Sequence, residues 1–164
     1  MDNIKRVWIT TSMKEKALAK SEEMGKLNNS ILNGSGNLTG FLGELVALKV
    51  LGGKEHNTYD YDIVLDNGIT LDVKSKKTRL APKTHYSCSV AAYNIKQKCD
   101  YYCFVRIRDD YKCGWVLGVY PKQQYYEDAV FCKQGQVDSD NDYTVKADCY
   151  NLTIDKLLDT SSCV

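Results

Sequence analysis

The stretch TYDYDIVLDNGITLDVKSK, residues 58–76, decides how the whole sequence is interpreted. Apolar and polar residues alternate on both sides of Asp66-Asn67-Gly68, a pattern typical of two strands joined by a tight turn. We expect a three-residue turn with its glycine in the left-handed conformation. One side of the hairpin, which is then apolar or aromatic and faces the core, carries three facing pairs: Leu65 and Ile69, Ile63 and Leu71, and Tyr61 and Val73.

The opposite side of the same hairpin carries two acidic residues that face each other. The register places Asp62 directly across from Asp72, with Cβ atoms roughly 5 Å apart. Like charges in such a pair destabilise a sheet, whereas Mg²⁺ between the two carboxylates would make the arrangement favourable. Lys74 lies two residues beyond Asp72 on the same side. An ammonium group there can hold an attacking water and offset charge on a phosphate.

A third acidic residue, Glu44, lies in the apolar segment GFLGELVALKVL, residues 40–51. The spacing of its apolar residues predicts a helix from about residue 38 to residue 51. Gly40 and Gly43 would permit close approach of a neighbouring backbone. A carboxylate in these surroundings needs a partner, and a metal ion or an ordered water would serve.

These residues together resemble the PD-(D/E)XK, or restriction-endonuclease-like, nuclease pattern. The pattern reads G-E at 43–44, Y-D at 61–62 and D-V-K at 72–74. The resemblance implies an α/β fold, with a mixed central β-sheet flanked by helices and an α-β-β-β-α-β core over roughly residues 36–120. It also implies hydrolysis of phosphodiester bonds with Mg²⁺ or Mn²⁺ and no organic cofactor.

The resemblance assigns a role to each residue of the pattern. Asp62, Asp72 and the carbonyl of Val73 would be metal ligands. Lys74 would be the catalytic lysine. Glu44 would be an auxiliary acidic residue and a further candidate ligand.

The sequence departs from the family pattern at two positions and extends it at a third. Tyr61 stands in place of the nominal proline, and Asp72 stands in place of the more frequent glutamate, which implies a tighter metal geometry. The spacing Gln97-x-x-x-Tyr101 is similar to a Q-x-x-x-Y element of some branches of the family. Gln97 is therefore a candidate auxiliary residue.

The rest of the chain predicts further elements within a single domain, residues 1–164. Ser12 and Glu15 form a capping-box pattern that predicts the start of a helix. Trp8 and Trp115 are both expected in the core. The other predicted elements are strands at 4–10, 86–90, 101–108, 114–120 and near 143–147, helices at 12–27, 91–98, 121–128 and near 154–159, and loops at 28–37 and 138–142.

Basic residues follow the predicted site in the segment between residues 75 and 84. The first 100 residues carry 15 Lys and Arg against 11 Asp and Glu, so the basic excess lies with the carboxylate pattern. Such a run is commonly a solvated loop, but beside a carboxylate pair it suits contacts to DNA phosphates. The candidate DNA-binding residues are Lys76, Lys77, Arg79 and Lys83.

Composition excludes several other classes of protein. The 164 residues carry a net charge of +1 and contain seven cysteines with no C-x-x-C spacing, which argues against a zinc site. The first residues lack the apolar stretch of a signal peptide, and no run approaches the length of a membrane span. We therefore expect a cytoplasmic protein with reduced thiols.

The leading functional hypothesis is a small DNA endonuclease. A junction-resolving or repair nuclease would use the same site. A protein of a different class, a non-catalytic nucleic-acid-binding protein, could keep the fold without the chemistry. A homodimer is compatible with the first hypothesis, because cutting both strands usually requires two sites.

Overall fold

A computed structural model describes residues 3–28, 35–56, 58–138 and 143–164. Its helices are α1 (Thr11–Asn28), α2 (Ser35–Leu51) and α3 (Lys122–Asp128). Its strands are β1 (Lys5–Trp8), β2 (Lys54–Glu55), β3 (Ile63–Val64), β4 (Thr70–Thr78), β5 (Ser87–Ala91), β6 (Tyr101–Arg108), β7 (Cys113–Pro121), β8 (Val130–Cys132), β9 (Val137–Asp138), β10 (Tyr143–Thr144) and β11 (Cys149–Thr153). Short 3₁₀ helices occupy Ala92–Lys96, Ile154–Lys156 and Thr160–Cys163.

The predicted α/β class is confirmed, and the central sheet is mixed. Its six strands lie in the order β1-β7-β6-β4-β3-β2. Strands β4 and β6 are parallel, and the other neighbours are antiparallel. Most residues of β6 and β7 are apolar and buried, because both faces of these two strands are covered.

The two faces of the sheet are covered by different kinds of structure. One face packs against α1 and α2, with Leu42 and Val46 of α2 fully buried. The other face packs against β5 and β11 of a separate three-stranded sheet and against α3, where Tyr125 is fully buried. The expectation of a sheet flanked by helices therefore holds for one face. On the second face, the strand predicted at 86–90 belongs to the small sheet.

The predicted hairpin register is confirmed beside the turn, where Ile63 pairs with Leu71 and Val64 pairs with Thr70. It is wrong beyond Ile63, because the Asp62 N–H bonds to the Leu71 carbonyl, and Tyr61 and Val73 pack against the cores on opposite faces of the sheet. The turn closes through a hydrogen bond from the Gly68 N–H to the Leu65 carbonyl, 2.9 Å, and Gly68 adopts a positive φ of 88°. Glycine is favoured there because a side chain would make this conformation costly.

Two local predictions are wrong. The start of α1 is capped by Thr10, whose Oγ1 accepts the Met13 N–H at 3.2 Å, rather than by Ser12. Trp8 is 59% exposed, because β1 is an edge strand that pairs only with β7, whereas Trp115 is buried as expected. Parts of the predicted loops at 28–37 and 138–142 lie outside the described residues.

Two further findings concern composition. All seven cysteines lie within the described ranges and are free thiols, five of them buried. Among the described helices, none has the length and apolar character needed to cross a membrane.

Candidate active site

A half-buried lysine forms the centre of a polar network on β4. The Nζ of Lys74 lies 2.7 Å from Oδ2 of Asp72 and donates to Oε1 of Gln97 at 3.1 Å. Gln97 in turn donates from Nε2 to the Tyr59 carbonyl at 2.8 Å. Asp72 and Gln97 are only 5% and 4% exposed. The ammonium group is therefore held between a carboxylate and an amide that are both shielded from water.

Asp62 reaches the same part of β4 from the other arm of the hairpin. Its backbone N–H donates to the Leu71 carbonyl at 2.9 Å, and its Oδ2 accepts the Val73 N–H at 2.8 Å. Burial, then the negative charges of Asp72 and Glu44, raise the pKa of Asp62 to about 9. The charge of Asp72 therefore acts on Asp62, although the two residues do not form the facing pair that the predicted register requires.

Glu44 connects α2 to this carboxyl pair. It is 8% exposed and shares a hydrogen bond with Asp62, which requires a proton between the two groups. Its Oε2 lies 3.3 Å from Nζ of Lys20, and that ammonium also contacts Oε1 of Glu55 at 2.9 Å. Burial raises the pKa of Glu44, and the charge of Lys20 only partly opposes the effect.

Sequence reasoning missed Lys20 and Glu55. Lys20 lies on α1 with Lys14 and Lys16, and nothing in the sequence distinguishes it from these two lysines. Burial lowers its pKa, but the hydrogen bond to Glu55 and the charge of Glu44 outweigh burial, so the pKa of Lys20 is raised. The contact depends on how α1 packs against α2, which local patterns do not determine.

The structure places the predicted residues in two groups: Asp72, Lys74 and Gln97 contact one another, and Glu44 interacts with Asp62. The charge of Asp72 acts on Asp62 and so couples the two groups. Within the described ranges, however, no group of three or more His, Cys, Asp or Glu side chains is disposed to hold a metal ion. Since Glu44 is already paired with Lys20, any divalent cation here would be held by the two aspartates and by backbone or water oxygens.

Gly43 allows α2 to lie directly on β4 beside the network. A Cβ atom at this position would press against the Ser75 side chain, 2.8 Å from its Cβ. The Oγ of Ser75 is buried without a hydrogen-bond partner. A Cβ atom added to Gly40, one turn earlier, would meet no heavy atom within 4 Å. The expected close approach of α2 to a neighbouring strand is therefore confirmed at Gly43 and absent at Gly40.

Gly43→Ala should lower the free energy of unfolding by about 1–3 kcal/mol, because the added methyl group overpacks the contact between α2 and β4. Gly40→Ala is the matched control and should be neutral or stabilising by up to about 1 kcal/mol, since alanine favours helix where space is available. Urea unfolding of both variants measures the difference. Equal stabilities would contradict the close packing at Gly43.

The basic residues predicted to contact DNA do not share one surface. Lys76 and Lys77 are consecutive on β4, so their side chains project to opposite faces of the sheet. Lys77 lies on the α2 side, with Nζ 5.3 Å from the ring centroid of Tyr111. Lys76 lies on the same face as Lys74. Arg79 and Lys83 are exposed in the segment between β4 and β5.

Without divalent cations, the protein should become less stable as pH rises from about 5 to about 9. The ordinary pKa of an aspartate is 3.8, whereas that of Asp62 in the folded protein is about 9. The folded state therefore holds one more proton than the unfolded state throughout this window, and ionisation favours unfolding. A difference of one bound proton changes the free energy of unfolding by at most about 1.4 kcal/mol per pH unit.

Asp62→Asn is the control, because it removes the titrating group but keeps the side-chain shape. Its stability should depend less steeply on pH than that of the wild type, as measured by chemical unfolding in EDTA. Identical slopes for the two proteins would show that Asp62 keeps an ordinary pKa.

No protein-family model matches the chain, and no curated protein sequence matches it. The assignment of a function must therefore depend on the network of Asp62, Asp72, Lys74, Gln97 and Glu44.

Proposed function

We propose that this protein is a metal-dependent nuclease that hydrolyses phosphodiester bonds in DNA, with a restriction-endonuclease-like core. One observation carries the proposal: the charge of Asp72 raises the pKa of Asp62, and Asp72 itself contacts a half-buried Lys74 that Gln97 also holds. A purely structural role would not require two carboxyl groups so placed that the charge of one raises the pKa of the other, because like charges shielded from water destabilise the fold.

The order of elements is compatible with an α-β-β-β-α-β core. Helix α2 precedes an antiparallel meander of β2, β3 and β4, and the chain then crosses over to β6, which is parallel to β4. The helical element in the crossover is the short 3₁₀ helix Ala92–Lys96, which ends just before Gln97. This order of helices and strands supports the resemblance to the PD-(D/E)XK core. Strand β5 is an addition within the crossover.

The chemistry of the available donors fits a hard divalent cation. The carboxylates of Asp62 and Asp72 and the carbonyl of Val73 would hold Mg²⁺ or Mn²⁺, which prefer oxygen ligands. When bound, such an ion supplies Lewis-acid stabilisation of charge on a phosphate and makes a bound water more acidic. The two aspartates would exchange their mutual repulsion for attraction to the cation.

The remaining residues position the reacting groups. Lys74 would hold the attacking water and offset the charge that develops on the phosphate, while Gln97 fixes the ammonium group in place. Glu44, itself neutralised in part by Lys20, would orient the Asp62 carboxyl group. Glu44 is therefore assigned a positioning role rather than that of a direct ligand.

Incubation with a panel of substrates tests this proposal. Supercoiled plasmid, linear duplex, branched DNA, single-stranded DNA and RNA should be compared with Mg²⁺, with Mn²⁺ and in EDTA. We expect cleavage of at least one DNA substrate with a divalent cation and none in EDTA. Cleavage of branched DNA alone would assign a junction-resolving role. Binding without cleavage of any substrate would overturn the proposal in favour of a non-catalytic nucleic-acid-binding protein.

A further inference from the structure

Two cysteines lie side by side on the small sheet, outside the candidate active site. Cys132 is the last residue of β8 and Cys149 is the first residue of β11, and the two are register partners in an antiparallel pair. Both are partly exposed, whereas the other five cysteines are buried. Side chains of register partners project to the same face of a sheet. The two thiols, called here the dithiol pair, therefore lie on one face.

The side chain of Asn151 contacts both sulfur atoms of the dithiol pair. Its Nδ2 lies 3.1 Å from Sγ of Cys132 and 3.7 Å from Sγ of Cys149, and it donates to both. Because one amide nitrogen reaches both atoms, the two sulfur atoms are close neighbours. Ser89 donates a hydrogen bond to Oδ1 of Asn151, which fixes the Nδ2 end of the amide towards the thiols.

The backbone spacing of the dithiol pair suits a disulfide bond. The Ala92 N–H donates to the Asp148 carbonyl, which makes Cys149 a non-hydrogen-bonded partner of Ala91. The backbone groups of Cys149 therefore point towards Cys132 on the other side. The Cα atoms of such a hydrogen-bonded pair lie roughly 5.5 Å apart, and disulfides join Cα atoms that are roughly 4.4–6.8 Å apart. The Cβ atoms must approach each other by about 1 Å, so the bond is strained and easily reduced.

The dithiol pair lies on the outer face of the small sheet, where an oxidant can reach it. Tyr150 and Leu152 of β11 pack into the core beneath the sheet. Side chains alternate along a strand, so Cys149 and Asn151 face away from that core. Cys132 lies on β8, an edge strand of the small sheet that pairs only with β11. Its sulfur is therefore open to a small molecule that approaches from the edge of the sheet.

We propose that Cys132 and Cys149 are a site of reversible disulfide formation, oxidised by a small disulfide such as oxidised glutathione. The Cys132 thiolate attacks one sulfur atom of the oxidant, which releases one reduced thiol and leaves a mixed disulfide at Cys132. The Cys149 thiolate then attacks the Cys132 sulfur and releases the second thiol. The protein loses two protons and two electrons in total, and the disulfide bond of the oxidant is reduced to two thiols.

The surroundings of the two thiols assign the order of these steps. The amide of Asn151 donates to the Cys132 sulfur at 3.1 Å, and such a hydrogen bond favours the thiolate. Burial, followed by the charge of Cys132, raises the pKa of Cys149 and so disfavours its free thiolate. Cys132 is therefore the attacking cysteine and Cys149 the resolving one. Neither step depends on nuclease activity.

Incubation of the folded protein with oxidised glutathione, followed by mass spectrometry of non-reduced peptides, tests the proposal. We expect a cross-link between the peptides that contain Cys132 and Cys149, the loss of two of the seven free thiols, and their full recovery with dithiothreitol. Cys149→Ser should accumulate a glutathione adduct at Cys132, because the resolving thiol is absent. Cys132→Ser should accumulate less adduct at Cys149 over the same time.

The matched control is Cys88→Ala, which removes a buried thiol from β5 on the inner face of the same sheet. It should form the cross-link between Cys132 and Cys149 at the wild-type rate. A wild type that keeps all its free thiols, that stops at a glutathione adduct, or that joins Cys132 to another cysteine would overturn the site. Equal adducts on Cys149→Ser and Cys132→Ser would overturn the assigned order of attack.

Discussion

Lys74→Ala should reduce the rate of DNA cleavage at saturating Mg²⁺ by about 100-fold or more, because it removes the group proposed to hold the attacking water. Lys74 is not proposed as a metal ligand, so Mn²⁺ affinity should fall far less than the rate does. Single-turnover cleavage and calorimetric titration with Mn²⁺ measure the two quantities separately.

The same change should also destabilise the metal-free protein. Asp72 is 5% exposed and would lose the ammonium group 2.7 Å away, leaving a buried charge with weaker compensation. We expect a loss of up to about 3 kcal/mol in EDTA, reduced by Mg²⁺. Lys49→Ala, at an exposed position on α2, is the matched control. It should change neither the cleavage rate in Mg²⁺ nor the free energy of unfolding in EDTA. Wild-type cleavage by Lys74→Ala would contradict the proposed mechanism even if the fold is as described.

Asp72→Asn should weaken Mn²⁺ binding by at least about 100-fold and abolish detectable cleavage, because it removes a charged ligand but keeps the side-chain shape. It should also lower the pKa of Asp62, since the charge of Asp72 contributes to the elevation of that pKa. Calorimetric titration with Mn²⁺ measures the affinity, and the pH dependence of stability in EDTA measures the change at Asp62.

The matched control for this variant is Asp66→Asn, which removes an exposed carboxylate from the turn of the same hairpin. It should leave Mn²⁺ affinity and cleavage unchanged. If Asp72→Asn bound Mn²⁺ as tightly as the wild type, Asp72 would not be a ligand, and the proposed site would be wrong.

The hairpin could be predicted from the sequence because several local signals agree. The turn residues Asp66-Asn67-Gly68 select one loop length, and alternation on both arms then admits only one register with an apolar face. The same predicted register put Asp62 opposite Asp72 with Lys74 beside them, and the structure departs from it at Asp62, whose N–H bonds to the Leu71 carbonyl. The resemblance made Gln97 a candidate auxiliary residue without indicating its partner, and in the structure its Oε1 accepts a hydrogen bond from Lys74.

Features that depend on packing between distant segments could not be predicted. The ion pairs of Lys20 join α1 to α2 and β2, and no periodic pattern encodes them. The exposure of Trp8 follows from the position of β1 at the edge of the sheet, which its sequence does not reveal.

The most direct test of the central claim is the rate at which the purified protein converts supercoiled plasmid to nicked or linear DNA in Mg²⁺. Wild type and Asp72→Asn should be purified identically and assayed side by side, in Mg²⁺ and in EDTA. We predict conversion by the wild type in Mg²⁺ and none by the wild type in EDTA or by Asp72→Asn in either condition. Equal conversion by the two proteins would contradict the account, as would a wild type that binds Mn²⁺ but cleaves neither this plasmid nor any other DNA substrate.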